Sequence, residues 1–179
     1  MRAITIVVLC IVSAVIYGIL HDQITARICV EYFTIGHEPI FQTRSPTLLG
    51  VGWGIIATWW VGLLLGVPLA IVARAGRRTK RSVRSLLKPI AGLLLIMAIC
   101  TAIAGVAGYF LAKCGIFFLV EPLASRVPVD KHVAFLGDAW AHSASYLVGF
   151  VGGVALIVSV WRSRKGARYG QIREQETPS

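Results

Sequence analysis

All four histidines of this 179-residue chain, and six of its eight acidic residues, fall in two polar segments that separate long apolar runs. These segments are 21–46 and 113–142. Imidazole and carboxylate groups are ligands that zinc, copper or iron takes in proteins. The two segments therefore hold a candidate metal site. Its candidate ligands are His21, Asp22, His37, Asp130, His132, Asp138 and His142.

The spacing of these residues favours local pairs. Asp138 and His142 are four residues apart, so they would share one face of a helix, and His21 is followed directly by Asp22. A metal bound by histidines of both segments would lie between helix ends, with neighbouring aspartates orienting the imidazoles. Haem bound by His21 and His142 is a special case of this hypothesis.

A purely structural interpretation stands beside the metal hypothesis. Polar residues must collect in the loops of a membrane protein because the spans cannot hold them. None of the spacings matches a zinc signature such as H-E-x-x-H or paired C-x-x-C. The chain also lacks a G-x-S-x-G elbow, a Walker loop and a dinucleotide fingerprint, so no catalytic residue is assigned and an enzyme is not the leading expectation.

The composition of the chain is that of a membrane protein. It is 56% hydrophobic and 15% charged, with a mean hydropathy of +0.75, whereas soluble chains carry about 25% charged residues. A helix needs about 20 apolar residues to cross the hydrocarbon layer. Four runs approach or exceed this length: Ala3 to Leu20, Thr47 to Ala73, Pro89 to Ala112 and Ser143 to Trp161.

These runs predict an all-α integral membrane protein, a four-transmembrane-helix bundle with an extracytoplasmic helical cap. Residues 1–161 form one transmembrane domain, and the basic tail 162–179 is expected to be disordered. The first run is longer than the apolar core of a signal peptide and has no A-x-A site before His21. We therefore expect the first helix to be retained.

Basic residues set the expected orientation, because loops rich in Lys and Arg stay in the cytoplasm. The loop 74–88 contains seven basic residues and no acid. They are Arg74, Arg77, Arg78, Lys80, Arg81, Arg84 and Lys88. The sequence thus predicts a multi-pass protein of the bacterial inner membrane with both termini cytoplasmic. Its basic loop would contact anionic headgroups, and nucleic acid is not expected as a partner because topology explains the charge.

Small residues recur at helical spacing and predict tight helix packing, since small side chains let two helices approach closely in lipid. In the second span they come every four residues and form one ridge. The packing residues are Gly50, Gly54, Thr58, Gly62, Gly66, Ala104, Gly108, Gly149 and Gly153. An outward-facing ridge would instead form a homo-oligomer or bind another membrane protein.

The segment 21–46 also carries helix signals. Ile24, Ile28 and Tyr32 continue a helical apolar period, which predicts an amphipathic helix that prolongs the first span or lies at the membrane surface. Gly36 is expected to end this helix, and Ser45 to cap the second span. A disulfide between Cys29 and Cys114 is left open.

The run HDQITARICVEYFTIGH, followed by SPTLLGVGWGIIATWWVG, resembles a family of small bacterial inner-membrane proteins with no assigned activity. The resemblance spans about residues 1–75 and implies the location alone. It carries no activity, cofactor or partner with it.

The sequence is consistent with three functions. The leading expectation is a non-catalytic membrane protein whose outer segments and basic loop contact other proteins or lipid. The alternative is a metal- or haem-binding membrane protein that uses the outer His and Asp residues. A small oligomeric channel or transporter comes last, because the central turns of the predicted spans contain no Asp, Glu, Lys or Arg.

Overall fold

The computed structural model describes residues 2–76 and 78–175, with side chains described as far as Arg164. Arg77, one of the basic loop residues, lies outside the described residues. Within these ranges the chain is all-helical, with a 3-10 turn at Val129–Lys131 before the last helix. The helices are α1 (Arg2–Ile28), α2 (Val30–Thr34), α3 (Pro46–Ile56), α4 (Trp59–Arg74), α5 (Val83–Lys113), α6 (Leu123–Arg126) and α7 (His132–Gln175).

Four stretches are long and apolar enough to cross a membrane, which indicates a membrane protein and confirms the predicted all-helical class. They are Arg2–Ile28, Pro46–Arg74, Val83–Lys113 and Val129–Arg164. The second stretch consists of α3 and α4, which a turn at Ala57 and Thr58 separates. Ser45 caps α3 as the sequence predicts, since its side chain accepts a hydrogen bond from the backbone N–H of Leu48.

The helices are longer than the apolar runs. Helix α1 continues past Leu20 to Ile28, and α7 begins at His132, well before Ser143. The sequence-based ends stop at the first polar residues, but the helices continue through them, and Asp22, Asp138 and His142 are buried in the bundle. Helix α7 also runs on to Gln175, where the sequence predicts a disordered tail, and residues 176–179 lie outside the described residues.

The ridge of small residues joins α1 to α3 and α4. A Cβ atom on Gly54 would lie 2.5 Å from the backbone nitrogen of Ile19, and one on Gly62 would lie 2.6 Å from Cα of Ile11. Backbone atoms cannot swing aside as a flexible side chain can, so the two helices need glycine to approach this closely. The ridge residues that contact α1 are Gly50, Gly54, Thr58, Gly62 and Gly66.

Helices α5 and α7 form a second tight pair, again through glycines. Gly108 of α5 lies against Trp140, and Gly149 of α7 lies against Met97. Gly153 differs because it faces Leu65 of α4 and so helps to join the two pairs. These glycines therefore make their close contacts within the chain.

The two helix pairs meet in an apolar core at the end of the bundle where α4 ends and α5 begins. Ile6, Ala73 and Leu86 are almost fully buried in this core, which also contains residues of α7. Nearby, the buried guanidinium of Arg164 donates hydrogen bonds of 2.8 Å to the carbonyl oxygens of Thr79 and Ala75 and of 3.0 Å to that of Arg78. It also donates to the carbonyl of Val72. Arg164 thereby satisfies carbonyls at the C-terminal end of α4 and fixes the following loop on α7.

We predict that Arg164→Ala lowers the free energy of unfolding by about 1–3 kcal/mol, because four partly buried or exposed carbonyls lose a charged donor. Arg164→Lys should restore only part of this loss, since an ammonium cannot span the same set of carbonyls. Denaturant unfolding in mild detergent measures the effect, with the exposed Arg162→Ala as the matched control. Equal stability of the two alanine variants would refute this role of Arg164.

Candidate metal centre

Two histidines and one aspartate converge between α1 and α7, at the end of the bundle opposite Arg164. His21 and Asp22 lie about two turns before the end of α1, and His142 lies about three turns into α7. The glycine ridge sets the position of α1 here, because a Cβ on Gly50 would lie 2.9 Å from the backbone oxygen of Asp22. The helix packing thus places this cluster directly.

The atoms of the cluster are at distances that suit a metal ion. Nε2 of His142 lies 3.3 Å from Oδ1 of Asp22, and Nε2 of His21 lies 4.0 Å from the same oxygen. One ligand atom from each of the three residues lies within 4.8 Å of the others. In a tetrahedral site with metal–ligand bonds of about 2.1 Å, neighbouring ligand atoms are about 3.4 Å apart. Small side-chain movements would therefore close the cluster around an ion.

The hydrogen bonds of His142 assign its ring nitrogens. Nδ1 lies 2.8 Å from the backbone oxygen of Asp138, which can only accept, so Nδ1 carries the hydrogen and donates it. Nε2 then faces a carboxylate oxygen of Asp22, which also accepts. A proton or a metal cation must lie between these two atoms, because two lone pairs repel each other. Nε2 of His21 is buried and has no hydrogen-bond partner among the described residues.

Aromatic rings hold the imidazoles in place. The ring of Tyr32 stacks on His142 with a centroid distance of 4.4 Å, and Phe33 contacts the same imidazole edge-on. Tyr17 stacks on His21 at 6.0 Å, and the two imidazoles meet edge to face at 4.4 Å. These contacts restrict ring rotation, so the ligand nitrogens keep their directions without a bound ion.

A cavity of about 50 Å³ adjoins the cluster. His21, Asp22 and His142 line it together with Ser145 and Tyr146. A space of this size accommodates an ion and at least one water molecule. The cluster therefore leaves an open side, as catalytic metal sites do and closed structural sites do not.

The other sequence candidates lie outside this group of three. His37 lines the same cavity, but its Nδ1 lies 2.9 Å from the backbone oxygen of Tyr32. His132 instead contacts the backbone oxygen of Val127 through Nε2 at 2.9 Å. Asp130 is exposed and pairs with Lys131. His132 and Asp130 are thus local partners of the turn that leads into α7.

Asp138 orients His142 through its backbone oxygen, and its side chain is 1% exposed. The backbone N–H of Cys29 hydrogen-bonds to its carboxylate, but Oδ2 has no partner among the described residues. The sequence pairs Asp138 with His142 as two ligands on one helix face. The structure instead makes Asp138 a positioning residue for His142.

Polar side chains that the sequence patterns do not single out extend the site into the bundle. The Tyr17 hydroxyl lies 3.2 Å from Oγ1 of Thr101 and accepts a hydrogen bond of 3.3 Å from Ser145. Tyr17 precedes His21 by four residues and Ser145 follows His142 by three, so each shares a helix face with a ligand. This helical spacing is the sequence signal that could have identified Tyr17 and Ser145 as part of the site.

The structure has Cys29 and Cys114 as free thiols. Cys29 is buried with Val127 and Phe135, whereas Cys114 is exposed at the end of α5, so the disulfide that the sequence leaves open is not formed. Burial raises the pKa of the Cys29 thiol to about 12. Cys29 is therefore almost entirely protonated at neutral pH.

We predict that a maleimide at pH 8 labels Cys114 about a thousandfold faster than Cys29, because the thiolate is the reacting species. Mass spectrometry of the folded protein in detergent measures the two rates. Cys114→Ser should abolish the fast phase and Cys29→Ser should leave it unchanged. Rapid labelling of Cys29, or an oxidised Cys29–Cys114 pair, would contradict the burial seen here.

No family model, no curated protein and no solved structure matches this chain. What the cluster does must therefore be argued from its own chemistry. That chemistry comprises two imidazole nitrogens and a carboxylate oxygen within 4.8 Å of one another, inside a bundle of helices long and apolar enough to span a membrane.

Proposed function

We propose that this chain is a membrane protein that binds one divalent transition-metal ion through His21, Asp22 and His142. The observation that carries the proposal is the convergence of the three ligand atoms within 4.8 Å, with Nε2 of His21 buried and unpartnered. A buried imidazole nitrogen without a partner costs free energy in an apolar interior. A bound ion removes that cost for His21 and separates the facing lone pairs of His142 and Asp22.

The ligand set favours zinc or ferrous iron over calcium or magnesium. Two neutral imidazoles and one carboxylate suit zinc, and with open positions they also suit non-haem iron, whereas calcium and magnesium prefer oxygen ligands. Asp138, through its backbone oxygen, fixes the tautomer that leaves Nε2 of His142 free to coordinate. The carboxylate of Asp22 supplies a negatively charged ligand to a divalent ion.

Haem fits these residues poorly. The imidazoles of His21 and His142 meet edge to face with centroids 4.4 Å apart, so no porphyrin plane can pass between them. The adjoining cavity of about 50 Å³ is also far smaller than a porphyrin. A role limited to protein or lipid contacts, in turn, gives no reason for the unpartnered buried nitrogen of His21.

We further propose that the cluster faces the periplasm of a bacterial inner membrane. The described residues of the basic loop 74–88 lie at the opposite end of the bundle, near Arg164, as does Arg162. Basic segments stay in the cytoplasm. Both termini would then be cytoplasmic. Helix α2 and the loop that follows it would cover the metal end as an extracytoplasmic cap, and anionic headgroups would contact the basic loop.

We expect purified wild-type protein, loaded with zinc or ferrous iron and desalted, to retain about one ion per chain. His21→Ala and His142→Ala should each weaken binding by at least about a hundredfold, because each removes a direct ligand. Mass spectrometric metal analysis and chelator competition measure the affinity.

His132→Ala is the matched control, because this histidine bonds only to the backbone of Val127 among the described residues. It should bind metal as the wild type does. Circular dichroism and gel filtration check that each variant is folded. Wild-type protein that retains no ion, or equal losses in His132→Ala and His142→Ala, would refute the proposal.

A further inference from the structure

A groove of about 650 Å³ lies between α1, α5 and α7, and His21 and Tyr17 line both this groove and the metal cavity. Its α1 wall includes Leu20, Ile24 and Ile28, and its α5 wall includes Val106. These four side chains are between 53% and 63% exposed, so the groove opens sideways to the surroundings of the spans. In a membrane those surroundings are lipid, so a lipid-soluble molecule could enter the groove without crossing water.

One buried polar atom indicates that a ligand in this groove would carry a hydrogen-bonding group. Asp138 lines the groove, is only 1% exposed, and has no partner for its Oδ2 among the described residues. An unpaired carboxylate oxygen in an apolar interior is costly. The proposed metal leaves this atom free, because the three ligands are His21, Asp22 and His142. Oδ2 is itself enclosed, so a small turn of the Asp138 side chain toward the groove would let a ligand group hydrogen-bond to it and remove the cost.

The remaining lining residues narrow the chemistry of that ligand. None of the described residues that line the groove is Lys or Arg, so the groove offers no partner for the phosphate of a phospholipid. Three aromatic side chains, Tyr17, Tyr109 and Phe110, line it and can pack against a planar ring. The volume of about 650 Å³ falls in the range of about 300–1,000 Å³ that is typical of small-molecule sites.

We propose that the groove binds the ring of a lipid-soluble quinone or quinol, with Oδ2 of Asp138 hydrogen-bonded to a ring oxygen. A quinol hydroxyl donates to the carboxylate, and a protonated carboxyl group donates to a quinone carbonyl. The apolar tail lies along Ile24 and Val106 toward the lipid. His21 lines both the groove and the metal cavity, so the bound ring lies next to the metal ligand. This binding site goes beyond the proposed metal site and does not depend on it.

The test measures binding of a short-tailed benzoquinone and of its quinol to the full chain in lipid nanodiscs. We expect one saturable site per chain. Ala102→Phe, which places a ring in the groove, should weaken binding by at least about tenfold, corresponding to about 1.4 kcal/mol. Ala107→Phe is the matched control, since Ala107 is exposed on the same helix and does not line the groove, and it should change the affinity less than about twofold.

A second pair of variants tests the role of the carboxylate. Asp138→Leu should weaken binding by at least about tenfold, whereas Asp130→Leu, at an exposed position outside the groove, should not. If Asp138→Leu fails to fold, the comparison of Ala102→Phe with Ala107→Phe alone tests whether the quinone binds in the groove. His142→Ala, which removes a metal ligand, should still bind the quinone, so failure of the metal proposal and of this one can be told apart.

Two results would overturn the proposal. The first is uptake of quinone that does not saturate, or that Ala102→Phe and Ala107→Phe change equally. The second is a phospholipid that copurifies with the wild type and is lost in Ala102→Phe, while the quinone does not bind.

Discussion

The backbone contact between α1 and the α3–α4 span is the constraint on which the rest of the structure depends. Gly54 and Gly62 allow this contact, because a Cβ atom at either would meet main-chain atoms of α1 at 2.5 and 2.6 Å. The same ridge continues to Gly50, which lies against the backbone of Asp22. Helix packing and the position of a metal ligand are therefore set by one row of small residues, so a bulky residue in that row would displace both.

The interface between the two tight helix pairs, here called the seam, contains the buried ionisable groups of the proposed sites. Asp22 comes from one pair and His142 from the other, and their 3.3 Å contact crosses the seam. The groove lined by Asp138 opens on one side of the same seam, next to His21. Buried ionisable groups are expensive inside a membrane protein and usually mark a functional site. A metal ion bound across the seam would also join the two pairs.

Much of the fold follows from the sequence, whereas the exact site does not. Apolar runs predict four spans, Ser45 predicts the start of α3, and the glycine period of four predicts a packing face. The sequence ends the first apolar run before Asp22 and begins the fourth after Asp138, because these aspartates look like loop residues until a partner helix buries them. The continuation of α1 past Leu20 is one of the two arrangements that the sequence predicts for the segment 21–46. Four histidines offer many pairings, and only tertiary packing separates His21 and His142 from His132. The positioning of His142 by Asp138 depends on a backbone oxygen, which the residue type at position 138 does not reveal.

X-ray absorption spectroscopy of the zinc-loaded protein tests the metal centre most directly, because it reports the ligand atoms themselves. The account predicts two imidazole nitrogens and at least one carboxylate oxygen at about 2.0–2.2 Å from the ion, with one imidazole missing from the spectrum of His142→Ala. Sulfur ligands, a shell of oxygen atoms alone, or a spectrum that His142→Ala leaves unchanged would contradict it.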